Sequence, residues 1–183
     1  SLELETNWLA AFESAYADLQ GCGVKLLLAS YFETTQHHAR LMSRLPVAGF
    51  HLDLVRAPEQ LDEWLNLLPP PAVLSAGVVD GRNIWRNDLQ ASLAKLDKAY
   101  RQLGDRLWVA SSCSLLHVPV SLASEVRLDA EIKSWLAFAQ EKVQEVAILG
   151  KAFNQGVESV AGAFNEAFAA LQSRRQSGRV HHP

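Results

Sequence analysis

Apolar positions recur along this chain with two alternating periods. Between residues 5 and 20, Trp8, Ala11, Phe12, Ala15 and Leu19 fall at helical spacing, and the glycines at 21 and 23 predict its end. A continuous apolar run, residues 24–29, follows as a strand, then a polar stretch and a short helix around 37–44. Residues 48–55 read as the next strand. Ala57-Pro58-Glu59 opens a helix carrying Leu61, Trp64, Leu65 and Leu68, which the prolines 69–71 stop. Residues 72–79 form a third strand. A helix from about Asp88 to Gln102 places Leu89, Leu93, Leu96 and Tyr100 on one face, with Gly104 as its cap. Residues 107–111 form a fourth strand. After a long connection, Asp129 predicts an N-cap for one helix whose stripe runs Ile132, Trp135, Leu136, Ala139, Val143, Val146 and Ala147. A last helix follows Gly156.

The order is therefore α-β-α-β-α-β-α-β-α-α. The four strands look apolar on both faces, as buried parallel strands do. A doubly wound sheet and part of a (β/α)8 barrel both fit this alternation. In either fold the ligand sits over the C-terminal ends of the strands, where loops vary while the strands hold them. Here those ends carry Ser30 and Tyr31, Asp53, the cluster Asp80-Gly81-Arg82-Asn83, and Ser111 to Ser114.

The candidate rim residues are thus Asp53, Asp80, Arg82, Asn83, Ser112 and Cys113. Asp80-Gly81 also reads as a plain turn, with Arg82 pairing Asp80 or Asp53 as structural glue. Asp53 is expected to point into the barrel mouth, and a buried acid wants a partner, with Arg82 the natural one. Cys113 and His117 are too poorly oriented to read as a nucleophile and its base, and a small buried thiol is the simpler reading. Cys22, His51, Cys113 and His117 lack the spacing of zinc ligands. No catalytic residue and no metal ligand is assigned.

With 183 residues and 49% apolar content, the chain suits one domain. A net charge of −3 does not fit a nucleic-acid surface. The apolar runs fall short of the ~20 residues of a membrane helix. The acidic N-terminal stretch does not read as a signal peptide, and the two distant cysteines are expected to sit in a reducing, cytoplasmic setting.

Several long collinear stretches together carry a resemblance: VKLLLASYFE (24–33), LPVAGFHLDLVRAPEQL (45–61), LSAGVVDGRNIWRNDL (74–89), LWVASSCSLLHVPVSL (107–122) and EVRLDAEIKSWLAFAQEKVQE (125–145). They resemble the latter half of the N-terminal domain of cobalamin-independent methionine synthase. RRQSGRVHHP (174–183) is similar to that family's interdomain linker. The resemblance implies a half of a (β/α)8 TIM barrel, its fifth to eighth strands with their helices plus an extra C-terminal helix, over residues 1–173, and a linker or tail at 174–183.

It also implies a parent enzyme that moves a methyl group from polyglutamylated 5-methyltetrahydrofolate to homocysteine, in methionine biosynthesis. The parent's zinc would lie in a C-terminal barrel outside this chain, so no cofactor is expected in the fragment. The fragment is expected to be structural and inactive alone. Its partners would be that barrel and the first half of the N-terminal barrel, and its open edges favour self-association. The alternative is a non-catalytic module in which Arg82, Asn83 and Ser112 hold a folate polyglutamate tail or another anion. Asp53 and Asp80 beside them weigh against strong anion binding.

Overall fold

A computed structural model describes residues 6–180. Four strands form a single parallel sheet: β1 (Leu27–Ala29), β2 (Gly49–Asp53), β3 (Val73–Val79) and β4 (Leu107–Ser111). They lie in chain order, β1-β2-β3-β4, so each crossover leads to the adjacent strand. β1 is shorter than the 24–29 run because only Leu27–Ala29 find partners, on Gly49–His51.

The helices are α1 (Thr6–Leu19), α2 (Ala39–Met42), α3 (Gln60–Leu67), α4 (Leu89–Leu103), α5 (Ala130–Ser134), α6 (Ala139–Gln155) and α7 (Ala161–Gln176). Asp88 caps α4 by accepting from the Ala91 amide, and Asp129 caps α5 by accepting from Glu131 and Ile132. These caps satisfy N–H groups that have no partner within the helix. Gly104, at φ +54°, ends α4 in a conformation that side chains disfavour.

The main core lies on one face of the sheet. Phe50, Leu52, Leu74, Ala76 and Val78 alternate toward helices α3, α4, α6 and α7, which contribute Trp64, Leu65, Leu96, Leu149 and Phe164. Phe50 and Trp64 meet with ring centroids 4.8 Å apart.

The other face differs from the expectation of strands apolar on both sides. Register aligns Leu27 with Gly49, Ala29 with His51, His51 with Ser75 and Ser75 with Trp108. Asp53 aligns with Gly77, and Gly77 with Ala110. This second face is therefore lined by small and polar residues between two large ones, Leu27 and Trp108. Its glycines are sites of close approach. A Cβ on Gly77 would stand 2.7 Å from the Ser112 Cα and 2.8 Å from the Leu52 carbonyl oxygen.

One further expectation is corrected. The single helix predicted beyond Asp129 is broken into α5 and α6. Residues 135–137 leave the helix to pair with the loop after β3: the Arg86 amide donates to Trp135 O at 2.8 Å and the Ala137 amide to Ile84 O at 2.8 Å. The Glu141 carboxylate then accepts from the Phe138 amide, starting α6. The linker expected from residue 174 is helical at its start, since α7 continues to Gln176. His181 to Pro183 of that stretch lie outside the described residues.

The apolar stripe of α1 is not buried. Trp8 is 63% exposed, with Phe12 and Leu19 also exposed. The helix touches α2's end through an ion pair of Glu13 and Arg44, both well solvated. Trp108, on the edge strand β4, is 52% exposed.

Candidate functional site

The C-terminal ends of β1 to β4 gather the predicted polar residues on one rim, because parallel pairing in near-constant register puts all four ends on one side. Asp53 ends β2 and is 1% exposed. Its Oδ2 accepts from the Phe32 amide at 3.0 Å; its Oδ1 accepts from the amides of Val55 and Arg56 at 3.0 and 2.9 Å. A buried carboxylate is satisfied here by three backbone N–H groups rather than by a base. The expected Asp53–Arg82 pair is thus corrected: no such ion pair exists among the described residues. Arg82 is exposed and lies 4.7 Å over the Phe32 ring, a cation–π contact.

Phe32 itself has φ +74°, a left-handed conformation that costs energy for an aromatic residue. The Asp53 bond to its amide holds it there. Its ring also meets His117 edge-on at 5.7 Å, so Tyr31, Phe32, Arg82 and His117 roof part of the rim.

Asp80 closes the loop after β3 on itself. Oδ1 accepts from the Arg82 amide at 2.8 Å and Oδ2 from the Asn83 side-chain amide at 2.7 Å. Asn83 Oδ1 in turn accepts from the Trp85 amide. The side chains of Asp80 and Asn83 are therefore occupied in turn geometry.

Ser112 is buried. Its Oγ accepts from the Gly81 amide at 3.1 Å and ties the loop after β3 to the end of β4. Its carbonyl oxygen lies 3.3 Å from His51 Nε2, and His51 Nδ1 lies 2.9 Å from Ser75 Oγ. Burial holds the His51 pKa below its usual value, opposed by the Ser112 contact and the Asp53 charge. Its ring packs against Tyr31 at 5.4 Å. His51, not a rim candidate from the sequence, is buried on this second face; the alternation β2 shares with its neighbours is the signal that places it there.

Cys113 is buried, and burial raises its thiol pKa. Its Sγ lies 3.7 Å from the Ser114 carbonyl oxygen, and no hydrogen bond joins it to His117 among the described residues. Among the described residues this thiol has no hydrogen-bonded base to make it a nucleophile.

One network escaped sequence reading. Trp64 Nε1 donates to Thr35 Oγ1 at 2.6 Å, Thr35 Oγ1 donates to Gln60 Oε1 at 2.8 Å, and Gln60 Nε2 donates to the Asp53 carbonyl at 2.9 Å. It locks the loop after β1 to α3 and to the end of β2. No local pattern marks it, since Thr35 stands 25 and 29 residues from its partners Gln60 and Trp64.

The family model described as "Cobalamin-independent synthase, N-terminal domain" matches residues 1–104. The chain belongs to that family. It is also 55% identical over its whole length to the 5-methyltetrahydropteroyltriglutamate--homocysteine methyltransferase of Acidithiobacillus ferrooxidans (strain ATCC 53993 / BNL-5-31). The proteins of that name from Burkholderia pseudomallei (strain 668) and Burkholderia mallei (strain SAVP1) are 53% and 52% identical, again over the whole chain. In each case the chain spans only 24% of the relative's length. This cobalamin-independent synthase segment is an α/β unit built on a parallel sheet.

Among the described residues no three His, Cys, Asp or Glu side chains converge to hold a metal ion. No described helix is long and apolar enough to cross a membrane.

Proposed function

We propose that this chain is the second half of the N-terminal (β/α)8 barrel of a methyltransferase that makes methionine from homocysteine and 5-methyltetrahydropteroyltriglutamate. The observation that carries this reading is the whole-length match to proteins of that name, of which the chain spans a quarter. The fold supports it. A four-stranded parallel sheet in sequential order is what half of a closed barrel leaves behind. Its two edges, the exposed Trp108 and the uncovered stripe of α1 are surfaces suited to more of the same protein.

On this reading the segment supplies shape and no reacting group. Residues 1–173 are the half barrel and 174–183 the connection toward the second barrel, where zinc would hold the homocysteine thiolate. The rim residues Asp53, Asp80, Asn83 and Ser112 keep the loops in place, because their polar atoms serve backbone and neighbouring amides. That use weighs against the alternative of a rim that grips a folate polyglutamate tail. The whole enzyme would act in the cytoplasm. The isolated chain would self-associate through its open edges.

The test is a transplant. The matching segment of the Acidithiobacillus relative is replaced by this chain, and methionine formation is measured with zinc, homocysteine and the triglutamyl substrate. Activity in the chimera, with none in the 183-residue chain alone, is expected. A folded chimera without activity, or turnover by the isolated chain, overturns the proposal.

A further inference from the structure

A cleft of about 350 Å³ opens between the loop after β3, the first turns of α4, and α7. Five cationic side chains line it: Arg86, Lys95, Lys142, Arg174 and Arg175. Only two acids do, Asp80 and Asp88, and both are engaged. Asp80 accepts from the Arg82 amide and the Asn83 side chain. Asp88 caps α4 and stands 3.9 Å from Arg175. A chain of net charge −3 thus concentrates positive charge in one concavity.

Three of these cations are held by the fold. Lys142 is fully buried, and its Nζ donates to the Trp85 carbonyl at 3.1 Å and to Asn83 Oδ1 at 3.4 Å. Lys95 Nζ donates to the Leu54 carbonyl at 3.0 Å. The Arg174 guanidinium is stacked on Trp85, 4.6 Å from the ring centroid. Its Nη1 is buried and has no hydrogen-bond partner among the described residues. A buried guanidinium N–H without an acceptor is costly, and the four further cations, offset only in part by Asp88 beside Arg175 and by Glu145 near Arg86 and Lys142, add repulsion. An oxyanion seated in the cleft relieves both at once, since the guanidinium fork suits phosphate and carboxylate oxygens.

We propose that this cleft binds a small anion through a phosphate or carboxylate group, with Arg174 and Lys95 as direct ligands. The site lies beside the rim, and its argument is independent of the methyltransferase reading.

The test uses the 183-residue chain and two probes, inorganic phosphate and citrate, which separate phosphate from carboxylate recognition. Binding is read by calorimetry and by the rise of the unfolding midpoint with ligand, against sodium chloride at matched ionic strength. Saturable binding of at least one probe is expected. Arg174→Gln and Lys95→Gln should each weaken it about tenfold, the loss of one charge-assisted contact. Arg44→Gln, at a solvated surface pair elsewhere, should leave it unchanged. Circular dichroism of each variant checks the fold, and Lys95→Gln gives a second reading should Arg174→Gln unfold. Neither probe exceeding the chloride effect, or equal binding by both variants and the parent chain, overturns the site. Binding of an acidic peptide alone, with neither small probe bound, also overturns it.

Discussion

Removal of the Asp53 carboxylate tests the account of the rim most directly. In Asp53→Ala, three backbone N–H groups, of Phe32, Val55 and Arg56, lose their acceptor at once. An unsatisfied buried donor costs about 1–3 kcal/mol, and these three are only partly buried, so water recovers some of that. A total near 3–5 kcal/mol is expected, which for a chain of this size lowers the unfolding midpoint by roughly 6–20 °C. The Phe32 conformation at φ +74° adds to the effect, because its amide bond to Asp53 restrains it. Asp53→Asn should be milder, at about 1–3 kcal/mol, since Oδ1 still serves Val55 and Arg56 while its NH₂ opposes the Phe32 amide. Urea unfolding followed by tryptophan fluorescence measures the difference. Hydrogen exchange should show the Phe32, Val55 and Arg56 amides losing protection first. An Asp53→Ala chain with an unchanged midpoint would mean that the carboxylate does not hold these loops, and the structural reading of the rim would fall.

Gly77→Ala places a Cβ under 3 Å from three backbone atoms, of Leu52, Ser111 and Ser112, that cannot yield. It should destabilise by about 3 kcal/mol or more, seen as a lower urea midpoint. His51 is kept neutral by burial, with its pKa below the ordinary ~6.5. The unfolded chain therefore binds the proton more readily, so the stability this histidine contributes is whole above pH 6.5 and is lost as pH falls below it toward the folded-state value. His51→Gln should remove that part of the slope in midpoint against pH, and an unchanged slope would discount the effect. Glu145 is shifted upward by burial, so its contribution has the opposite sign: whole below the ordinary ~4.5 and lost as pH rises from there through its raised value. Trp108→Lys, on the exposed edge strand, should shift the chain toward monomer in sedimentation velocity, because a lysine on an edge opposes strand pairing. A parent chain that sediments as a monomer at high concentration would remove the proposed self-association.

The sequence by itself determined the order of elements through β4 and the edge of the sheet on which the polar residues collect. Both follow from local chemistry: apolar period, proline and glycine stops, and side chains such as Asp88 and Asp129 that cap their own helices. Parallel pairing then carries Asp53, Asp80 and Ser112 to one edge with no further information. What those residues touch was decided only in three dimensions. Asp53 found amides from the loops after β1 and β2 where its charge predicted Arg82, because backbone N–H groups left over at strand ends were closer than any cation. The break between α5 and α6 came from Ile84 and Arg86, some fifty residues away, which took the backbone groups of Trp135 and Ala137 out of the helix. The cationic cleft joins positions from 55 to 175 and has no linear signature at all. Periodicity reports which face a residue presents; only the folded chain supplies the neighbour waiting on that face.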